Sequence, residues 1–116
     1  MAPTDQPAPS FATLAVHAGA HPDPVAGSRA QPIHATAAYA FADAEEAAAR
    51  FAGDASGPQY GRMHNPTVDA FAARLCALEG GVAGVAFASG QAAAAATLLA
   101  IARPGARVLL SREAFG

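Results

Sequence analysis

Apolar positions along the chain change their rhythm several times. Ile33, Ala35, Ala37, Tyr39 and Phe41 alternate with smaller or polar neighbours, which predicts a weak extended segment. Asp43 then precedes AEEAAARFAG. It caps a short helix, with Glu46 reaching back to it, and Gly53 ends that helix. Asn65-Pro66 opens a second helix, since Asn is a good N-cap and Pro is tolerated at the first helical position. Val68, Phe71, Leu75 and Leu78 recur three or four apart, which predicts one buried face. Gly80-Gly81 stops it. Beyond them VAGVAFA (82–88) and ARVLLS (106–111) read as short apolar strands, and Gln91 to Ala102 between them as an alanine-rich helix broken by Arg103-Pro104-Gly105. Strand, helix, strand with short links predicts a βαβ unit with a right-handed crossover. Residues 1–32, rich in Pro and Gly, predict a draped arm without regular structure.

Composition narrows the class. The 116 residues suit one small domain or part of a larger one. At 53% hydrophobic and 14% charged the chain is not built for disorder. Much of the apolar share is alanine, which buries little area, so a thin core is expected. A net charge of -2 with scattered arginines offers no steering toward nucleic acid or anionic lipid. One cysteine, Cys76, excludes an internal disulfide, and the start MAPTDQPAPS has no signal-peptide pattern, so a cytoplasmic location is expected. The longest apolar run, Ala92 to Ala102, is too short for a membrane span. All 7 basic residues are arginine, and lysine is absent.

The candidate chemistry gathers in two stretches. Ser89-Gly90-Gln91 lies where a strand ends and a helix begins. Unpartnered amides and the helix dipole there favour an anion, phosphate above all. A plain cap explains the same residues, and neither a G-K-[ST] loop nor G-x-G-x-x-G is present. In QYGRMHNPT, Tyr60 and Arg62 stand two apart. In an extended segment both would point the same way and pair a phenol with a guanidinium, a good phosphate clamp; a solvent-facing loop is the alternative. Weaker candidates are ordinary. His17 and His21 are split by Gly19 and followed by Pro22, against a helical zinc pair. His64 belongs to loop hydrogen bonding, Cys76 flanks the apolar stripe as a small core residue, and Asp43, Glu45 and Glu46 are helix-start charges.

Taken together, FATLAVHAG, DPVAGSRAQPI, YGRMHNPT and LEGGVAGVAFASGQAA resemble, in order and spacing, the opening of the pyridoxal-phosphate (PLP) enzymes of cysteine and methionine metabolism, from about Phe11 to Gly116. DPVAGSRA and Gln91 resemble the O-acetylhomoserine sulfhydrylase branch. The resemblance implies an α/β fold: an N-terminal arm (1–64) crossing a dimer interface, then the first βαβ portion (65–116) of an incomplete fold-type-I PLP-dependent transferase large domain. It implies that Ser89, Gly90 and Gln91 hold the PLP phosphate. Tyr60 and Arg62 would reach the phosphate of a neighbouring subunit in a homodimer or homotetramer. Phe115 stands where the family usually has a tyrosine stacked on the pyridine ring; the hydroxyl is lost. His34 and Ala38 also depart from the family's usual hydroxyl- and tyrosine-bearing pattern.

The implied chemistry is γ-replacement on an amino-acid substrate, acetate leaving and sulfide or a thiol adding to give homocysteine or methionine. The family's Schiff-base lysine and its pyridine-partnering aspartate lie past residue 116. The expectation is therefore an N-terminal fragment without a catalytic residue of its own and without activity alone. Cystathionine γ-synthase and methionine γ-lyase outcomes remain open. So do a non-catalytic partner that completes the PLP site of a full-length paralogue, and a generic anion-binding α/β module.

Overall fold

The computed structural model describes residues 7–114. It contains helices α1 (Phe11–His17), α2 (Ala44–Ala52), α3 (Pro66–Glu79) and α4 (Gly90–Ile101). Contacts divide the chain into two units, Met1–Ala86 and Phe87–Gly116.

In the first unit, α1 packs on α3. Helix α1 corrects the expectation of an irregular arm. The Ser10 hydroxyl accepts the Thr13 amide and starts the helix despite the surrounding prolines. The chain then turns at Gly19, whose φ of +69° suits glycine. A Cβ there would lie 2.5 Å from the Ala70 carbonyl oxygen, so the absence of a side chain brings the turn onto α3. Arg74 fixes the same contact, its Nε donating to the Ala18 carbonyl at 2.8 Å.

Helix α2 starts as the sequence predicts, with the Asp43 carboxylate accepting the Glu46 amide at 2.7 Å. Glu46 reaches one residue further back than expected and accepts the Ala42 amide at 2.6 Å. It also pairs with Arg50. Arg50 in turn lies over the Phe41 ring at 5.5 Å and donates to the Pro58 carbonyl at 3.1 Å, while the Gln59 side-chain amide donates to the Arg50 carbonyl. One arginine thereby ties α2 to the segments before and after it.

Helix α3 begins at Asn65-Pro66 and ends at Gly80, which adopts the left-handed conformation. The thiol of Cys76 donates to the Gly81 carbonyl at 2.9 Å, and Gly84 approaches the Ala72 carbonyl so closely that a Cβ would sit 3.1 Å away. The chain after α3 therefore folds back over its Ala72–Cys76 face. The expected burial of the α3 stripe does not occur: Val68 is 44%, Phe71 56% and Leu75 45% exposed, and no apolar side chain is buried among the described residues. The spacing places these side chains on one face of α3, but spacing alone does not bury them: that needs a second layer packed over the face.

The second unit holds α4 with the irregular segment that follows it. The strands expected at 82–88 and 106–111 carry no ladder; the β pairing among the described residues is a single antiparallel bridge, Ala38 to Tyr60. An apolar run becomes a strand only when a neighbour accepts its hydrogen bonds. No helix among the described residues is long and apolar enough to cross a membrane.

Candidate functional site

Helix α4 starts with unused donors. The Ser89 hydroxyl oxygen accepts the Ala92 amide at 3.1 Å, and the Ser89 carbonyl accepts the Ala93 amide at 3.0 Å. The amides of Gly90 and Gln91 make no hydrogen bond among the described residues. The first turn carries no acidic side chain, and a Cβ placed on Gly90 would meet nothing within 4 Å. Two bare amides, a hydroxyl whose proton is free to donate and open space above a glycine fit the oxygens of a phosphate, with the helix dipole adding partial positive charge. The other two longer helices lack this vacancy. Asp43, Glu45 and Glu46 fill the start of α2 with carboxylates. In α3, Pro66 has no N–H and the Asn65 side chain takes the next two amides.

Tyr60 and Arg62 belong to the first unit and come together by another route than the one predicted. Residues 61–63 form a turn, closed by the Met63 and His64 amides donating to the Tyr60 carbonyl at 2.8 and 3.0 Å. The Arg62 guanidinium folds over the Tyr60 ring with 5.3 Å between its carbon and the ring centroid. No carboxylate pairs with Arg62 among the described residues. The result is an exposed phenol and guanidinium, five donor hydrogens on the latter, with no local counter-ion.

Asn65, which the sequence offered as a helix cap, and Thr67 beside it hold this turn. Asn65 is 8% exposed and is the buried polar residue of the described chain. Its Oδ1 accepts the Thr67 and Val68 amides, while its Nδ2 donates to the His34 carbonyl at 2.9 Å and the Thr36 carbonyl at 3.4 Å. Thr67 Oγ1 accepts the His34 amide at 2.8 Å and donates to the Pro32 carbonyl at 3.2 Å. The cap was legible; the grip on residues 32–36 was not, because its acceptors lie 35, 31 and 29 positions away. Residue 37 completes the seat, its carbonyl accepting the Gly61 amide at 2.7 Å.

The remaining candidates occupy modest positions. His17 ends α1 and His21 follows the Gly19 turn, and no group of three or more His, Cys, Asp or Glu side chains suited to a metal occurs among the described residues. His64 and Asp69 approach to 3.9 Å, both more than half exposed. The Glu46 carboxyl is held below the usual carboxylate range, chiefly by the Ala42 amide and then by Arg50. Phe115 lies outside the described residues.

Residues 12–116 match the family described as Cys/Met metabolism PLP-dependent enzyme. The L-methionine gamma-lyase of Pseudomonas putida is 44% identical over 108 residues, covering 93% of this chain and 27% of that protein. The O-acetyl-L-homoserine sulfhydrylase of Leptospira meyeri is 43% identical over 104 residues, covering 90% of this chain and 24% of that protein. Among solved structures, metB from Corynebacterium glutamicum superposes with a TM-score of 0.72 at 35% identity over 90% of this chain and 25% of that one. A Campylobacter jejuni chain assigned as an O-acetylhomoserine (thiol)-lyase, carrying N'-pyridoxyl-lysine-5'-monophosphate, gives 0.71 at 39% identity over 77% of this chain and 21% of that one. The chain spans about a quarter of the length of the curated relatives it matches, from 24% to 27%.

Proposed function

Because the chain belongs to the PLP-dependent enzymes of Cys/Met metabolism, we propose that it is the N-terminal part of an O-acetylhomoserine sulfhydrylase-like enzyme, which replaces the acetoxy group of O-acetylhomoserine by sulfide or a thiol. Its likeness to the sulfhydrylases supports the branch. The observation that carries the reading is the start of α4: two amides without partners, beneath a glycine with open space over it, on a helix with no carboxylate in its first turn.

Bound there, PLP supplies an electron sink for a carbanion on the substrate. The chain's own residues have narrower tasks. Gly90 and Gln91 donate their amides to the phosphate, and Ser89 adds its hydroxyl proton. Residues 1–64 act as an arm toward another subunit, where the Tyr60 hydroxyl and the Arg62 guanidinium bind that subunit's cofactor phosphate. Residues 65–116 begin the cofactor domain, with Phe115 against the pyridine ring. No lysine is present to bind the cofactor aldehyde covalently, so turnover needs an amine from outside these residues.

The test is a titration of the ¹⁵N-labelled chain with PLP and with pyridoxal, which lacks the phosphate. The Gly90 and Gln91 amide signals are expected to move with PLP alone; equal response to both ligands, or to neither, rejects the site. Supplied with PLP, O-acetylhomoserine and sulfide, the 116 residues should form no homocysteine above the rate of free PLP.

A second reading takes support from Arg62, which has no counter-ion among the described residues: a non-catalytic partner that completes the phosphate site of a lysine-bearing paralogue. Co-purification with that paralogue, lost on Arg62→Ala, is its expected signature. A chain that stays unassociated in its presence counts against it.

A further inference from the structure

The turn that presents Arg62 is closed into a small ring. On one side the Gly61 amide donates to the Ala37 carbonyl at 2.7 Å, and Tyr60 bridges to Ala38. On the other, four residues later, Asn65 Nδ2 donates to the Thr36 carbonyl at 3.4 Å and to the His34 carbonyl at 2.9 Å. Residues 61–65 are thus fastened at both ends to residues 34–37, with Arg62 inside the loop. The packing at the near end is tight, since a Cβ on Gly61 would lie 2.8 Å from the Thr36 carbonyl oxygen.

A cap needs none of this. The Oδ1 end of Asn65 alone satisfies the Thr67 and Val68 amides. The Nδ2 end does separate work, in a residue only 8% exposed. Thr67 backs it from the first turn of α3, with its hydroxyl between the His34 amide and the Pro32 carbonyl.

We propose that Asn65 is a positioning residue for phosphate recognition: its side-chain amide locks residues 34–36 to the start of α3 and thereby fixes the backbone from which Tyr60 and Arg62 present their donors. The proposal rests on the clamp reading of those two residues. Its distinguishing element is that capping and positioning belong to opposite ends of one side chain. Asn65→Asp keeps an acceptor for the Thr67 and Val68 amides and removes both donations to the carbonyls. It should spare the helix and loosen the ring.

The experiment titrates the ¹⁵N-labelled 116-residue chain with inorganic phosphate and follows the Gly61 amide and the Tyr60 ring signals, with the Gly90 amide as reference within each sample. Helix content is measured by circular dichroism. Arg62→Ala should abolish the phosphate response at Gly61. Asn65→Asp should retain helix content and weaken phosphate at Gly61 by about fivefold or more relative to Gly90, in line with losing two hydrogen bonds donated by a nearly buried side chain. An unchanged response in Arg62→Ala removes the clamp reading and this proposal with it. A normal loss in Arg62→Ala, together with wild-type affinity in folded Asn65→Asp, overturns the positioning role and leaves the clamp standing. Should Asn65→Asp lose helix content, the Thr67 pair decides. Thr67→Val is expected to weaken phosphate at Gly61 and Thr67→Ser to restore it; equal, wild-type affinity in both overturns the proposal.

Discussion

Gly61 has no room for a side chain, because the space a Cβ would take lies 2.8 Å from the Thr36 carbonyl oxygen and 3.1 Å from the Ala37 Cα. Both neighbours are backbone and cannot rotate away. Gly61→Ala is therefore expected to destabilise the first unit by about 1–3 kcal/mol, the usual range for overpacking, read as a lower denaturant midpoint. Glu46 makes a prediction through its charge. Its carboxyl is held below the usual carboxylate range, first because the Ala42 amide donates to it and then because of Arg50. A carboxyl with a depressed folded-state pKa contributes stability that is present above its unfolded value and lost as pH falls through its folded one. The start of α2 should accordingly hold at pH 5 and loosen below the ordinary glutamate range, seen as an acid-side change in the Ala42 amide signal that Glu46→Gln removes. At this scale the sequence showed what could be satisfied locally. Asp43, Asn65 and Ser89 were legible as caps because their partners lie two or three residues on. The second partners of Asn65 and Thr67, and the reach of Arg50 to Pro58, depend on how distant segments meet and leave no mark in local spacing.

Among the elements, α4 separates capping from ligand binding. Ser89→Ala removes the acceptor for the Ala92 amide and should cost about 1 kcal/mol of helix stability. Ser89→Asp keeps an acceptor there, yet sets a carboxylate beside the bare amides of Gly90 and Gln91. It should leave helix content near wild type while reducing the PLP response of those amides by about tenfold, in keeping with like-charge repulsion and loss of a donor. If both variants bind PLP equally, Ser89 is a cap and nothing more. The helices α2, α3 and α4 were readable from capping residues and terminators, each within a residue or so of its observed limits. Helix α1 was hidden by its setting: 7 residues, one serine cap and a proline on each side of the neighbourhood outweigh the apolar spacing in any local count. The strands are a different case. Residues 82–88 and 106–111 have the composition of buried strands, but a ladder is a property of two segments, and composition describes only one.

For the whole molecule the telling observation is where apolar area lies. Val82, Val85, Phe71, Leu99, Leu109 and Leu110 are all more than half exposed, and the described residues contain no buried apolar side chain. Apolar surface on this scale invites partners. The 116 residues on their own are expected to bind the dye ANS strongly and to sediment as self-associated species whose size falls at lower concentration. A sharp monomeric boundary with no dye enhancement would contradict this. Such a surface accords with a chain spanning about a quarter of the curated relatives it matches, 27% for the P. putida protein. The family itself was legible from four motifs in order, and residues 12–116 match it. Cys76 turns this architecture into a measuring device. As the sole thiol in the chain, half-covered and bonded to the Gly81 carbonyl, it should react with a maleimide faster whenever the strap formed by residues 81–84 lifts from α3. The modification rate of unmutated protein would thus clock the breathing of that strap, and any ligand or companion chain that pins it down would announce itself as a slower reaction.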